Sequence, residues 1–549
     1  MKFFLFFIFI FFVSCENFSL PPHHVEEEIF FEPDAEEFVE QIVELEPVPH
    51  EQDAVLRLHM RPPKTLNPLL NEDVTVARIL LLIFEPLAVL DDEFRVVGNL
   101  AELDFASDFG SVNATIRDGA IWGDGIPVTA DDVIFSINFL RAAPKNAFYK
   151  NAVENIFDAK KIDARTVQII FERASVMAGY SLTFPIIPQH FYANAGNNSR
   201  AQSVAEGAFT MNNSRAQSVA EGAFTMNNSR AQSVAEGVFT IGSGPFALDE
   251  YVPMRSMTLR RNSYNFFSKI EQIDVVFLPD AETDFHAFER GRIDALHLPL
   301  TEWTRKQGVR SPVYEIFPAM YFEFIGFNFK KNFFRDVHTR TGIAHAFDAA
   351  DAMNALYLAH ATHSLTPIHP QNWAADDVKI IFDPARAAAL LRTQRTVEPL
   401  IIIAPAENSQ RAAIARKLAN ALCEVGLESR AEIISQEEYF ERIAAFDFDL
   451  YIGGMKLSFA PETQIFFRAG ELFFSDSALE AAHAALQFAS TETAYVHALR
   501  ALQQTFAERL PIIGLGFLHD ALLANPRIAS DLNPAPDHVF ANLHEWKLR

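Results

Sequence analysis

Catalysis needs nucleophiles, paired titratable groups or metal ligands at workable spacings, and this sequence supplies few of them. Its two cysteines, Cys15 and Cys423, are too few for a disulfide framework or for a metal cluster of three or four thiolates. His360-Ala-Thr-His363, with His345 and His369 near it in the chain, could offer imidazoles to a metal, since on a helix an i, i+3 pair shares one side. Seventeen histidines make such grouping ordinary, however, and no carboxylate stands at a supporting spacing. Solvated or capping histidines are the expectation, and no metal site is assigned. The 71 acidic residues make any carboxylate pair uninformative. Gly242-Ser-Gly-Pro245 is too short a turn to cradle a nucleotide. HExxH, GxSxG, Walker A, GxGxxG and CxxC patterns do not occur. The expectation is therefore no catalytic residue and no cofactor, which leaves binding as the chemistry to look for.

The elements that would position a binding site follow from length and pattern. A chain of 549 residues with 49% hydrophobic content has room for two to four folded cores. Its net charge of −25 argues against a large nucleic-acid surface, where affinity comes from neutralising phosphates with Lys and Arg. The 52 phenylalanines are read as bias across the chain. Residues 1–15, MKFFLFFIFIFFVSC, place Lys2 before an apolar run too short to span a bilayer but of leader length. The run ends on Ser14-Cys15, which resembles a lipobox with Phe12 as its departure, so Cys15 is the expected lipidation site. From Glu26 to Glu51 there are eleven acidic residues and no Lys or Arg, the composition of an extended spacer.

Beyond Ala54, helix signals alternate with apolar runs. Thr129-Ala-Asp-Asp132 and Ser435-Gln-Glu-Glu438 read as capping boxes. Asp383-Pro384 opens an Ala-rich helix to Leu391, and Asn408 to Val425 is helical up to Gly426. Strands are expected at Val55–Met60, Val167–Phe171, Val275–Leu278, Leu400–Ala404 and Asp449–Ile452. This alternation indicates α/β architecture. The unit NNSRAQSVAEGAFTM at Asn197–Met211 recurs at Asn212–Met226 and, with two substitutions, at Asn227–Ile241. Three near-identical copies read as a tandem expansion of one surface loop rather than a solenoid. Its deletion is expected to cost little, because closure entropy grows only logarithmically with length.

Ile116 to Ser136, IRDGAIWGDGIPVTADDVIFS, resembles the signature of family 5 extracellular solute-binding proteins, which are oligopeptide-, dipeptide- and nickel-binding components of ABC importers. Arg117, Gly119, Trp122, Asp124, Gly125, Pro127, Thr129, Ala130, Asp132, Val133, Phe135 and Ser136 carry the match. Further resemblance follows in order: Leu66-Asn67-Pro68, Ile83–Leu103, Ile187-Pro188-Gln189-His190, Gly242–Phe246, Phe288–Asp294, Phe327-Asn328, Asp336–Asp348 with Arg340, Asp383–Leu391 and Phe448–Leu450. The resemblance implies an α/β, two-lobed periplasmic-binding-protein clam of type II with an extra subdomain in lobe I. The expected layout is a signal peptide at 1–14 and a lipid-anchored acidic linker at 15–53. Lobe I follows at 54–298, with its subdomain at about 76–180 and the triplicated loop at 197–241. Lobe II spans 299–509, and 510–549 returns to lobe I.

By the same resemblance the chain is an exported, membrane-anchored lipoprotein, a monomer that captures a peptide or peptide-like small solute and delivers it to an ABC permease. A surface lipoprotein serving adhesion or host interaction, and a nickel or metal-complex binder, stay open as alternatives. Peptide-binding members carry a G-W-x-x-D-Y-x-D-P segment whose first Asp pairs with the peptide's amino terminus. Here the chain reads Gly453-Gly454-Met455-Lys456-Leu457-Ser458-Phe459-Ala460-Pro461. Gly454, Met455, Lys456, Ser458 and Phe459 are the expected ligand-binding residues. With Ser458 in place of the acid, the pocket is not expected to select a free α-ammonium, unless another acidic residue takes that role.

Overall fold

The computed structural model describes residues 55–196, 240–264, 268–299, 313–393, 398–467, 474–535 and 537–549. The leader with Cys15, the acidic segment, and the triplicated loop up to residue 239 lie outside the described residues. Among the described residues no helix is long and apolar enough to cross a membrane.

Among the described residues the strands form four sheets. In the first, β1 (Val55–Met60) runs parallel to β10 (Gln272–Phe277), followed by β9 (Ser256–Arg261) and β8 (Phe246–Val252). A small ribbon pairs β2 (Ala88–Leu90) with β3 (Val96–Gly98). A meander orders β4 (Ala101–Phe105), β5 (Ser111–Ile116), β7 (Thr166–Phe171) and β6 (Ile156–Lys161). The largest sheet is ordered β11 (Ala295–Pro299), β17 (Ile512–Ala524), β12 (Val313–Phe327), β16 (Leu450–Lys456), β14 (Leu400–Pro405) and β15 (Ser429–Ile434), with β13 (Ala361–His363) on β17.

Period-two alternation decides which residues each sheet buries. Leu56, Leu58 and Met60 of β1 are fully buried and join the first core, which continues through the meander and the Ala130–Ala142 helix. In the large sheet, Leu450 and Ile452 face one core and Tyr451 the other, and Ile402 and Ile403 divide the same way. A fourth, small core lies between the Ala281–Glu289 helix and β11 and β17. Strand β17 contributes to all four: Phe517 to one face, Leu515 to the other, Leu523 to the small core and Leu522 to the first. The last turn of chain then packs Ile528, Leu532, Phe540 and Trp546 into the first core.

The motif residues of the signature are scaffold. Asp132 accepts from the Thr129 N–H at 2.8 Å, the returning arm of a capping box, and from the Gln189 N–H at 2.7 Å. Trp122 beside it is fully buried. A Cβ on Gly242 would stand 1.8 Å from the Ile83 carbonyl oxygen, so the glycine permits two backbone segments to touch. Asp294, with no exposure, collects Arg57 at 2.7 Å and Arg527 at 3.2 Å. Arg340 donates to the carbonyls of Leu510, Phe334, Arg335 and Arg509, closing the end of the Glu492–Arg509 helix.

The expected helices at Pro384–Leu391 and Ser409–Glu424 form behind Asp383 and Asn408, whose side chains accept from Arg386 and Arg411 N–H groups. His360 to His363 do not share one face of a helix. His363 ends β13, and its Nδ1 lies 2.7 Å from the Leu515 carbonyl of β17. Ala361, Thr362 and His363 pair with β17 of the large sheet. Among the described residues no group of three or more His, Cys, Asp or Glu side chains is placed to hold a metal.

Candidate functional site

The segment singled out by sequence leaves the sheet at the end of β16. Gly454 is buried opposite Glu323 of β12. A Cβ there would lie 2.2 Å from Arg411 Nη2 and 2.8 Å from Glu323 Oε1, so no side chain fits. Glu323 is fully buried and takes Arg411 Nε at 2.9 Å on Oε2 and Arg411 Nη2 at 2.9 Å on Oε1. Burial works against the Arg411 charge, but Glu323 more than compensates and holds its pKa well above the usual value. Arg411 Nη2 also donates to the Tyr321 hydroxyl, which donates to the Gly454 carbonyl. Together they pin the end of β16.

The other four residues of that segment do not converge on one point. Met455 is half-buried and packs at the fringe of the core that holds Phe322. Ser458 is exposed and its Oγ accepts the Ala460 N–H at 3.2 Å. The Phe459 ring lies 5.8 Å, edge-on, from Phe94. Phe94 is the tip of the turn between β2 and β3, is 1% exposed, and is also 5.1 Å from the His369 ring. Its carbonyl accepts from the Tyr180 hydroxyl, Glu93 accepts the Trp373 N–H, and the Arg95 guanidinium covers the Trp373 ring at 4.0 Å. An element of the first half of the chain is thereby clasped by the second.

Lys456 reaches solvent, yet enough protein surrounds it that desolvation, with Arg78 nearby, lowers its pKa. Three residues that sequence reasoning missed stand around it. Arg78 comes from the Val74–Leu80 helix, whose Val76, Ile79 and Leu80 anchor it in the first core. His297 lies on β11 and Asp520 on β17. Arg78 Nη1 donates to His297 Nδ1 at 2.9 Å, which leaves the His297 Nε2–H to donate to Asp520 Oδ2 at 2.8 Å. Burial and then Arg78 bring the His297 pKa down to about 4, so the ring is neutral. Burial would raise Asp520, but His297, Arg78 and Lys456 together keep it below the ordinary carboxylate range. Glu462 is also exposed yet desolvated, and with Glu154 nearby its pKa is raised.

The neutral histidines set a pH dependence. The His297 value of about 4 and the His369 value of about 3, driven by desolvation, both lie below the ordinary 6.5. A histidine depressed in the fold stabilises it above the unfolded pKa and loses that contribution as pH falls toward the folded value. The denaturation midpoint should therefore drop between pH 6.5 and 4, because a tenfold rise in proton concentration across that window costs each such histidine about 1.4 kcal/mol. Replacement His369→Asn keeps an acceptor for the Gln371 N–H and should flatten this part of the profile in urea titrations. An unchanged slope would show that His369 does not titrate there.

Two cores bridged by long strands, with charged side chains beside those strands, are an arrangement suited to holding a solute. Comparison with known proteins agrees. Residues 95–469 match the family described as "Bacterial extracellular solute-binding proteins, family 5 Middle", and the chain belongs to that family. Its fold is the two-lobed α/β clam of type II periplasmic binding proteins.

The chain is similar to the "Probable deoxycholate-binding periplasmic protein YgiS" of Escherichia coli, 24% identical over 60% of this chain and 61% of that protein. It is similar to the "Oligopeptide-binding protein AppA" of Bacillus subtilis, 20% identical over 75% of each. The crystal structure of the substrate-binding protein CtaP from Listeria monocytogenes superposes with a TM-score of 0.72 at 18% identity, covering 90% of this chain and 99% of that one. The first of these relatives is therefore spanned over about three fifths of its length.

Proposed function

We propose that this chain is the solute-capturing component of an ABC importer, an exported lipoprotein tethered through Cys15 and an acidic linker. Lobe I at 54–298 and lobe II at 299–509, with 510–549 returning to lobe I, close on a peptide or peptide-like solute that a membrane permease then receives. The observation that carries this reading is the family match over residues 95–469, on a fold in which Arg78, rooted in the first core, meets His297 of β11 and through it Asp520 of β17. A solute held between the lobes would favour closure, because it gains contacts that the open form lacks. The relatives named for deoxycholate and for oligopeptides support an organic solute.

Gly454, Met455, Lys456, Ser458 and Phe459 form the lobe II wall of the proposed site, as the strand end of an α/β sheet favours. Ser458 offers no charge for an amino terminus. Glu462 beside Glu154 is the acidic pair that would serve one. Native mass spectrometry of the chain released from its own membranes tests the whole reading. The mature mass should begin at an acylated Cys15 and carry one non-covalent organic solute, lost on unfolding. An unacylated, solute-free chain with normal stability would favour adhesion on the same fold.

A further inference from the structure

A cavity of about 620 Å³, separate from the Gly454–Phe459 segment, is lined by residues of β3, of β4 and of the link between them, and by Arg117. Its volume lies in the range of roughly 300–1,000 Å³ usual for ligand pockets. Hydrogen-bond alternation fixes what its walls present. Between β4 and β5 the Arg117 N–H bonds the Leu100 carbonyl, and the Ala106 N–H bonds the Ser111 carbonyl. With Leu103 opposite Ala114, Leu103 and Phe105 must turn their backbone groups away from the sheet. In the ribbon the Asp91 N–H bonds the Arg95 carbonyl and the Asn99 N–H bonds the Leu87 carbonyl, with Val89 opposite Val97. Val96 and Gly98 therefore also turn theirs outward. Among the described residues the outward N–H and C=O groups of these four have no partner, and all four residues line the cavity. The two edges converge at Gly179, where Phe105 Cζ and Val96 Cβ stand 3.3 and 3.4 Å from the place of an added Cβ. Arg117 is committed, to Glu85 at 2.7 Å and to the Asn99 carbonyl at 2.9 Å.

Side chains sort the two faces of β4. Leu103 and Phe105 pack against the first core. Glu102 and Asp104, on the opposite face, are exposed, and among the described residues neither joins an ion pair or a side-chain hydrogen bond. Their cross-strand neighbours, Thr115 and Asn113, are uncharged. We propose that this edge receives an extended segment of a partner protein in which basic and apolar side chains alternate. Backbone pairing with Leu103 and Phe105 adds one strand to the meander. Every second side chain of that strand then lies on the apolar face, and the others lie beside Glu102 and Asp104, where a cation is favoured. A second copy of this chain is disfavoured there, because antiparallel pairing of two β4 edges sets carboxylate against carboxylate. The acidic segment from Glu26 to Glu51 is disfavoured for the same reason.

The probe is a fluorescent, end-blocked hexapeptide, Lys-Val-Lys-Val-Lys-Val, titrated with the full chain and read by polarisation. It should bind at least about tenfold more tightly than Glu-Val-Glu-Val-Glu-Val, a difference of about 1.4 kcal/mol. Leu103→Pro removes an outward N–H and spares the ladder to β5, as proline on an edge strand can. It should weaken binding by a similar factor at an unchanged urea midpoint. Glu102→Lys combined with Asp104→Lys, at two exposed positions, should reverse the preference between the peptides, and it keeps the test decisive if the proline variant does not fold. Equal affinity of the native chain for both peptides would overturn the charge match. Binding that survives in both variants would put the peptide elsewhere, and would overturn this assignment while leaving solute capture untouched. Failure of a folded native chain to bind either peptide would overturn it as well. A dimer in light scattering that Leu103→Pro dissociates would give the edge to a second copy and overturn the partner named here.

Discussion

Arg411→Met should lower folding stability by about 3–5 kcal/mol, the usual cost of stripping one partner from a buried ion pair. Glu323 has no exposure and depends on Arg411 for hydrogen bonds to both carboxylate oxygens. With methionine there, the carboxylate stays in the sheet interior without a counter-charge, and the Tyr321 hydroxyl loses a donor. The double variant Glu323→Leu with Arg411→Met should recover most of the loss, because neither desolvated charge remains. Urea denaturation of the two single variants and the double gives the coupling directly. Single-variant losses below about 1 kcal/mol, the range of exposed pairs, would show that water reaches this pair and that it does not pin β16. The function follows the same route. Arg411 holds Tyr321, Tyr321 holds the Gly454 carbonyl, and Lys456 lies two residues further on. Arg411→Met should therefore weaken solute retention even at temperatures where the chain remains folded.

Phe94→Ala should produce the second large effect, and its character differs. Truncating a buried Phe costs about 3–5 kcal/mol where the cavity cannot collapse. Here the ring belongs to a ribbon of two three-residue strands, a unit with marginal stability of its own. Most of the loss should fall on the clasp between the ribbon tip and the His369–Phe459 surface rather than on global unfolding. At roughly 3 kcal/mol the clasped population falls about a hundredfold relative to the unclasped one. Two readouts follow. Trp373, whose backbone N–H bonds the Glu93 carbonyl and whose ring face is covered by Arg95 of the tip, should shift its emission to the red. Affinity for the co-purified solute should fall in proportion to the lost competent fraction. Phe94→Leu should sit between the two. Unaltered Trp373 emission together with unaltered affinity would show that the tip is ordinary core.

Much of the fold was legible because it is local. Thr129 with Asp132, Asp383 with Pro384 and Asn408 each announce a helix within four residues, and β1 alternates inward and outward at every position. The family signature was legible too, but for architecture. Arg340 caps a helix end, Asp294 gathers two arginines and Gly242 lets backbones touch. The site itself was hidden. Arg78 and His297 are 219 positions apart and His297 and Asp520 are 223 apart, and no periodicity links residues on a helix and two separated strands. Phe94 was invisible for another reason: one phenylalanine among 52 carries no signal until its neighbours are known. His363, expected as a solvated or capping residue, is half-buried on β13, because its pairing with β17 does not show in local spacing.

Among the described residues strand β17 is the last in sequence, and it supplies side chains to all four cores. During synthesis, then, none of these cores can be finished until Ala524 has emerged. Its partners β11 and β12 wait more than 180 residues for it, and loop closure of that span makes for slow assembly. For a member of an extracellular solute-binding family this delay suits export, since a polypeptide that has not yet closed its cores stays threadable. It also makes Ile512–Ala524 a completeness check: a product that stops short of Ile512 lacks the strand common to these four cores and is open to proteases.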